Sequence, residues 1–486
     1  MAQEILSNKR TKILFIQNYY WRNLGIMSIS AVLKQHGFET DIAVGDPDTI
    51  LKQVQEKRPR LVGFYATTGF HHRQLKLARE IKARFGDKIT TVFGGPHPTF
   101  VTDILKDEGV DIICRGEGEY ALLELMQAME ENRDYTTIKN LNVKLDGKIH
   151  KNPLRLLCDL DALPFPDREI YRSVPFIYSS RQHEVIHSKG CPYNCAFCTA
   201  PAFRNIYKDH GNYLRFRSIE KVIEELLRIK MRYAPRSFYF FDETFFLDDE
   251  YSSKFLEAYK AKINVPYICM MRADLVNEKV ASILKDTGCS FLLFGIEHGN
   301  EALRNRLLEK KLSNDAIFSC ATNLKKYRIP FATLNIVGFP GDNISHVWDA
   351  IQINTLVRPN WSRFFIYQVL PATKLADYSL KNGFVEAVDV ASSDATMLAS
   401  GAILRKSREY KRTLRLKYLA NIFIKFPFLR RIASSVLLNI PADPFFRVLE
   451  KTIEFFNFFW NQQPGCRSSE KLSIAWFYIK HRDEFE

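Results

Sequence analysis

The sequence predicts an α/β protein in three parts: an N-terminal doubly wound parallel sheet, a partial (β/α)6 barrel and a mainly helical C-terminal region. Three observations carry this prediction. Short apolar runs alternate with amphipathic stretches over the first 150 residues, a proline-rich break follows at 151–182, and a second alternating series runs from 183 to about 370. Parallel strands need helical crossovers, so this alternation reads as successive βα units. At 486 residues the chain can bury two or three cores.

The first part, residues 10–150, opens with Lys12–Gln17, an unbroken apolar run of the kind buried on both faces of a sheet. Leu24–Gly37 reads as a helix stopped by glycine, and Thr40–Val44 as the second strand. Arg60–Ala66, Ile89–Phe93 and Val110–Cys114 continue the strands, with helical periodicity at His71–Phe85 and Tyr120–Glu131. A hairpin about Asp146-Gly147 closes the part. Ligands of such sheets bind beyond the carboxyl ends of the strands, and small or polar residues gather there. Thr67 and Thr68 follow the third strand, Gly94, Gly95, His97 and Thr99 the fourth, and Gly116, Glu117 and Gly118 the fifth. Glycine permits close backbone approach to a ligand. The spacing Gly116-x-Gly118-x-x-Ala121 imitates a dinucleotide fingerprint but follows the wrong strand for one.

Pro153, Pro164, Pro166 and Pro175 disfavour helix across 151–182, which reads as a fixed, extended connector. Beyond it come strand candidates at Glu184–Ser188, Ser237–Phe241, Tyr267–Met271, Phe291–Gly295, Phe331–Val337 and Arg363–Val369. Helical patterns separate them at Ile219–Tyr233, Glu250–Lys262, Val276–Thr287, Leu312–Tyr327 and Ser345–Val357. Reactive groups of barrels gather where strands end. Asp242-Glu243, Arg272, Glu297 and the run Gly338-Phe339-Pro340-Gly341-Asp342 stand at such ends. Capping the next helix or closing a turn is the alternative role for each.

The sharpest local signal is Cys191-Pro-Tyr-Asn-Cys195-Ala-Phe-Cys198. Four-iron clusters are normally held by four thiolates. Three ligands with no fourth nearby leave one iron open, as the open position of a catalytic zinc does. Zinc sites usually show two ligand pairs, and the other six cysteines (114, 158, 269, 289, 320 and 466) offer no second pair. The triplet therefore reads as the ligand set of a reactive iron–sulfur cluster.

On this loop the chain resembles the radical S-adenosylmethionine (SAM) superfamily, whose signature is CxxxCxxC. The resemblance implies a [4Fe-4S] cluster on Cys191, Cys195 and Cys198, with SAM chelating the open iron. One electron then cleaves SAM to methionine and a 5′-deoxyadenosyl radical. It further implies that Asp242 and Glu243 meet the SAM amino group and Arg272 its carboxylate or ribose. Glu297 becomes a further cofactor contact, and Gly338 and Pro340 lie near the adenine, with Asp342 where the family usually has glutamate.

The GGPHPT segment at 94–99, the RGEGE segment at 115–119, Thr67-Thr68 and the Leu163-Pro-Phe-Pro-Asp167 linker resemble the class B, cobalamin-binding radical SAM enzymes. That resemblance implies a Rossmann-like cobalamin domain at 10–150, a linker at 151–182, a radical SAM core at 183–370 and a basic, aromatic tail at 371–486. Methionine synthase-like modules carry an Asp-x-His-x-x-Gly loop, and nothing like it follows the first strand, where Gln17–Asn23 stands. Cobalamin is therefore expected base-off, and His97 is not assigned to cobalt. A domain that has lost cobalamin and only packs is the alternative.

Composition sets the frame. Apolar content of 46% and charged content of 26% are those of a globular protein. The cysteines form no disulfide framework and the start shows no secretory signal, which points to a reducing cytoplasm. No apolar run is long enough to span a bilayer. The net charge of +14 is partly local: residues 404–431 hold ten Lys or Arg against Glu409 alone. That segment adjoins the aromatic runs Tyr418–Leu429 and Ile453–Trp460, which read as a helical lid, a peripheral membrane contact or a wall for a bulky apolar substrate.

The expected activity is methyl transfer to an unactivated carbon of a small-molecule or lipid-like substrate, with a flavodoxin- or ferredoxin-type electron donor implied by the resemblance. A radical cyclase or C–C bond-forming enzyme on the same scaffold is the alternative, and a cofactor sensor a non-enzymatic one. A methylthiotransferase acting on RNA would bring three further cysteines and a C-terminal β-barrel. The chain has only Cys114 and Cys158 before the loop and a helical tail, so nucleic acid is not an expected partner.

Overall fold

The computed structural model describes residues 12–386 and 409–430, with isolated positions from 403 to 452. Ile453–Trp460, Cys466, and Arg405, Lys406, Arg408 and Arg431 of the basic segment lie outside the described residues. The chain divides into two compact units. Of the described residues, 12–180 together with Phe203–Tyr213 form the first; Arg181–Ala202 and those from Leu214 onward form the second.

The first unit is built on strands β1 (Lys12–Gln17), β2 (Glu39–Val44), β3 (Leu61–Tyr65), β4 (Thr90–Gly94), β5 (Ile112–Cys114), β6 (Leu141–Leu145) and β7 (Lys148–Lys151). Their order is β2-β1-β3-β4-β5-β6-β7, parallel through β5 and antiparallel from there. Alternation along β1 shows why the sheet is wound on both sides. Ile13 and Phe15 join the core formed with the helices at 24–35 and 119–130, whereas Leu14 and Ile16 join the core under the helices at 47–57 and 71–85. The helix Pro47–Lys57 is absent from the sequence expectations, because only Ile50, Leu51 and Val54 mark its buried face. Its start carries a local signal nonetheless: Asp46 accepts the Thr49 N–H, and Pro47 takes the first helical position.

The connector is less extended than its prolines predict. Arg168–Tyr171 forms a 3-10 turn, and Pro175–Tyr178 a short helix with Pro175 at its first position. A missing N–H is no loss there, since that donor has no intrahelical partner.

The second unit holds β8 (Gln182–Val185), β9 (Ser188–Lys189), β10 (Arg215–Phe216), β11 (Ser237–Phe240), β12 (Tyr267–Met271), β13 (Cys289–Glu297), β14 (Phe331–Val337) and β15 (Trp361–Ile366). Six of them form a parallel sheet in the order β8-β11-β12-β13-β14-β15. Helices at 219–233, 249–262, 278–286, 314–326 and 344–357 cover its outer face. Phe238 and Phe240 of β11 pack outward, while Tyr239 turns to an inner cluster of Ile268, Phe291, Leu293, Ala332 and Trp361. An apolar layer filling the concave side is the packing of a partial (β/α)6 barrel.

One expected strand, Glu184–Ser188, is split. β8 ends at Val185, and Ser188–Lys189 pairs antiparallel with β10. The cause is Asp242, whose carboxylate draws in the N–H groups of His187 (3.1 Å) and Ser188 (2.7 Å). Beyond the barrel, the helix Tyr410–Lys425 packs Leu416, Leu419 and Phe423 against Phe364 and Ile366. Of the aromatic run at 418–429, Tyr418 and Phe423 are buried and Phe426 and Phe428 exposed. Among the described residues no helix is long and apolar enough to cross a membrane.

Candidate active site

The cysteine loop leaves β9 and is tied down from three sides. Asp242, at the end of β11, accepts from the Ser188 N–H and hydroxyl, both at 2.7 Å. Its neighbour Glu243 accepts the Gly190 N–H at 3.1 Å. Further along, the Ala196 N–H donates to the Leu308 carbonyl (2.8 Å), and the Ala196 carbonyl accepts from Leu375 N–H (2.9 Å). Within the loop the Cys198 N–H donates to the Cys195 carbonyl at 3.1 Å, closing the turn that sets the last two thiols. Cys191, Cys195 and Cys198 form no disulfide among the described residues, and each is half-buried.

Burial pushes the Cys195 thiol up and Cys198 up to about 11, and the neighbouring thiols add to both shifts. Cations oppose this at Cys195, where Lys310 and Arg272 pull the thiol down. Arg272 Nη1 lies 3.8 Å from the Cys195 sulfur, and its guanidinium covers the Tyr193 ring at 3.8 Å. The Nε and Nη2 donors of Arg272 are taken, by Asp274 (3.0 and 2.9 Å) and, for Nη2, also by the Lys310 carbonyl (2.9 Å), which leaves one Nη1 N–H. Three soft thiolate donors beside two buried cations suit an anionic iron–sulfur cluster. A cleft of about 320 Å³ opens beside the loop, lined by Tyr193, Asn194, Arg272, Asp274 and Lys310 among others.

Glu297, at the end of β13, sits in a left-handed conformation (φ 68°) where the register with β14 shifts. Its carboxylate folds back over Gly295; a Cβ there would come within 1.8 Å of Oε1. Lys310 Nζ meets that carboxylate at 2.9 Å, and both side chains are nearly buried. Lys310 was not among the residues singled out from the sequence. It lies in the loop after the short helix Glu301–Arg306, with no periodicity to announce it.

Gly338 and Pro340 are buried in the loop after β14, and Asp342 organises that loop. One oxygen of Asp342 accepts the N–H groups of Gly338 and Phe339 (both 3.0 Å); the other meets His298 Nε2 at 3.0 Å and His346 Nδ1 at 3.1 Å. Burial alone would raise Asp342, but the hydrogen bonds from His298 and His346 outweigh it and hold the carboxyl low. His298, Asp342 and His346 have the spacing of a metal site. The protons argue otherwise. The Asn300 N–H donates to His298 Nδ1 at 3.0 Å, so Nδ1 carries the lone pair and Nε2 the proton given to Asp342. The trio is a hydrogen-bonded clamp on the loop.

In the first unit the strand order reverses between β1 and β3, which makes the crevice beyond their carboxyl ends the ligand position of this topology. Thr67 and Thr68 follow β3 and are half-buried. The Thr68 hydroxyl meets His97 Nδ1 at 3.0 Å, and His97 stacks on His71 at 3.7 Å. Burial, and then His71 and His72, push His97 down to about 3, so it is neutral. Its Nε2 and the Asn18 Oδ1 after β1 are buried without hydrogen-bond partners. Two orphaned polar atoms at a switch point suit a ligand edged with amides, as cobalamin is.

Three of the glycines singled out in this unit, Gly95, Gly116 and Gly118, are packed closely against the protein itself. A Cβ on Gly95 (φ +101°) would lie 2.8 Å from the Ala66 carbonyl, one on Gly116 (φ +72°) 1.7 Å from the Tyr207 hydroxyl, and one on Gly118 3.0 Å from Ile29. At Gly94 a Cβ would meet only Cys114, at 3.9 Å. Thr99 joins the loops, donating to the Gly95 carbonyl (2.8 Å) and accepting the Gly116 N–H (3.0 Å). The Glu117 N–H donates to the Tyr207 hydroxyl at 3.0 Å, and the Glu117 carboxylate accepts the Cys158 N–H at 3.1 Å. Tyr207 comes from a segment ninety residues away and carries no local signal of this role.

Comparison with known proteins agrees with both halves. Residues 185–353 match the model of the radical SAM superfamily, and residues 17–126 that of the B12 binding domain. An uncharacterized methyltransferase of Pyrococcus horikoshii is 27% identical over 383 residues, 74% of this chain and 79% of its own. An anaerobic magnesium-protoporphyrin IX monomethyl ester cyclase of Synechocystis is 26% identical over 293 residues, 57% of each chain. The fold is that of the radical SAM methyltransferase TsrM from Kitasatospora setae, with a TM-score of 0.63 and 17% identity over 90% of each chain.

Proposed function

We propose, from the premise that this chain belongs to the cobalamin-binding radical SAM enzymes, that it transfers a methyl group to an unactivated carbon of a bulky organic substrate. The observation that carries this reading is one chain holding both a three-thiol loop at a parallel barrel and a switch-point crevice with orphaned polar atoms. When bound, the cluster with SAM supplies a primary carbon radical, and cobalamin supplies the methyl group.

The chain's own residues bind and orient. Cys191, Cys195 and Cys198 hold the cluster. Asp242 gives Oδ1 to the turn that presents them and keeps a buried Oδ2 without a hydrogen-bond partner, while Glu243, exposed at the same strand end, would meet the SAM ammonium. Most donors of Arg272 are engaged by Asp274 and the Lys310 carbonyl, so we assign the SAM carboxylate to Lys310, which pairs with Glu297 beside the loop. The Asp342 clamp fixes the loop of Gly338 and Pro340, which would lie near the adenine. In the other unit, Asn18, Thr68 and His97 would meet the cobalamin periphery. Precise placement matters because a loosely held radical attacks its surroundings.

A small-molecule substrate and an electron donor are general to radical SAM enzymes; a lipid-like substrate and a donor of the flavodoxin or ferredoxin type are our readings. Cyclisation on the same scaffold is the second reading, favoured by the Synechocystis relative. Anaerobic reconstitution with iron, sulfide and hydroxocobalamin, followed by reductant and methyl-deuterated SAM, separates the two. A methyltransferase gives a labelled product and a cyclase an unlabelled one. An absent cobalamin spectrum would refute the assignment of the first unit.

A further inference from the structure

Among the described residues, the inward-facing cation Arg363 of the barrel has no counter-ion. On β15, Phe364 and Ile366 pack outward against the helices at 344–357 and 410–425, and Trp361 belongs to the inner cluster. Alternation along the strand therefore turns Arg363 and Phe365 to the interior. The guanidinium lies over the Phe365 ring at 4.8 Å and is within electrostatic reach of Tyr239 on β11. It makes no side-chain hydrogen bond or ion pair with the described residues. The inward carboxylate of Glu184 on β8 is not paired with it.

Register places the residue. Arg363 is level with Leu334, and Leu334 with Gly295, over which the Glu297 carboxylate folds. Two strand spacings put it roughly 10 Å from that point. Apart from the Glu184 carboxylate beyond Tyr239, the inward side chains around it are apolar or aromatic and only partly buried: Met270, Leu334, Ile336, Phe365 and Tyr239, with Phe241, just past β11, 51% exposed. The Arg363 guanidinium, itself only partly buried and without an ion pair among the described residues, is a donor fork open to an anion in an otherwise largely apolar setting.

We propose that Arg363 anchors a carboxylate of the substrate within the barrel, the apolar body of that substrate lying on Tyr239, Phe241 and Phe365. This rests on the reading of the chain as an enzyme of bulky organic substrates and names the chemistry of its seat. The planar fork of arginine matches a carboxylate in two parallel hydrogen bonds. A single unpaired cation balances a monoanion; a phosphate dianion calls for a second cation or a nest of backbone N–H groups, and the inward neighbours named above supply no second cation.

Equilibrium dialysis of the reconstituted holoenzyme, without SAM, against 1-pyrenebutyrate and 1-pyrenebutanol tests the proposal. Wild type should bind the acid about tenfold tighter than the alcohol, the ratio worth about 1.4 kcal/mol. R363M should weaken the acid alone, bringing the two affinities within about twofold, and R363K should keep part of the preference. Unchanged alcohol binding shows that the variant is folded. A preference that survives in R363M, or an acid bound no tighter than the alcohol by wild type, overturns the assignment. Formation of 5′-deoxyadenosine from SAM, measured separately, reports on the functional reading and does not enter this comparison.

Discussion

Arg272 Nη1 stands 3.8 Å from the Cys195 sulfur, while the rest of its guanidinium is bonded to Asp274 and the Lys310 carbonyl. A cation pointed at a cluster ligand stabilises the more negative, reduced state, since charge and hydrogen bonds at the sulfurs set cluster potentials. R272M should therefore lower the midpoint potential of the reconstituted cluster by about 60 mV, a tenfold change in a one-electron equilibrium. Redox titration followed by electron paramagnetic resonance reads this directly. SAM affinity should stay within about twofold; an unchanged potential with a large loss of SAM binding would return Arg272 to the cofactor's carboxylate.

Asp242 holds three donors of the segment entering the cysteine loop. Removing it in D242A leaves those donors buried and unpaired, at a stability cost on the order of 3 kcal/mol. D242N, which keeps an acceptor, should lose less. Iron content after reconstitution should fall in the order wild type, D242N, D242A, and full loading of D242A would show that the turn holds without it.

The Asp342 clamp gives stability a pH window. His346 is raised above its ordinary 6.5 by its hydrogen bond to Asp342, so its contribution is complete below 6.5 and fades as pH climbs through the raised value. Asp342 lies below its ordinary 3.8, so its contribution is complete above 3.8 and fades as pH falls through the lowered value. Stabilisation by this pair is thus greatest between 3.8 and 6.5. Thermal unfolding of H346Q beside wild type should show a difference that shrinks above 6.5; a difference that stays constant would mean His346 only fills space.

Gly116 and Tyr207 are coupled by contact. G116A adds a methyl group where the Tyr207 hydroxyl sits and asks alanine to keep a left-handed conformation, which together should remove roughly 2–4 kcal/mol. Adding Y207A relieves the clash but not the backbone strain. The double-mutant cycle in urea should show a coupling of about 1 kcal/mol or more, and strict additivity would place the hydroxyl elsewhere.

Much of the framework was legible because it is local. The apolar runs Lys12–Gln17 and Phe331–Val337 and the amphipathic stretch Ile219–Tyr233 stand in the structure with the same bounds. The helix Pro47–Lys57 escaped periodicity, although its Asp46-Pro47 start was present to be read. At the site, residue types were legible and directions were not. Asp242 and Glu243 are adjacent, yet one turns inward to the backbone of Ser188 and the other outward. Arg272 was legible as a cation at a strand end, but not that Asp274, two residues on, takes its Nε and Nη2 donors. Lys310 and Tyr207 were missed because each acts on a residue distant in sequence, and only the folded chain brings the partners together.

The segment Phe203–Tyr213 folds with the first unit although the chain on both sides of it belongs to the second. A boundary that reads as one linker in the sequence is thus crossed three times by the backbone. Cutting at the linker yields a first unit without Tyr207, leaving the Glu117 N–H and the hollow above Gly116 unfilled. Folding of either unit closes a loop in the other, so each pays part of the other's chain entropy in advance. Among the described residues neither unit is a continuous stretch of sequence, so no single cut in the chain separates them.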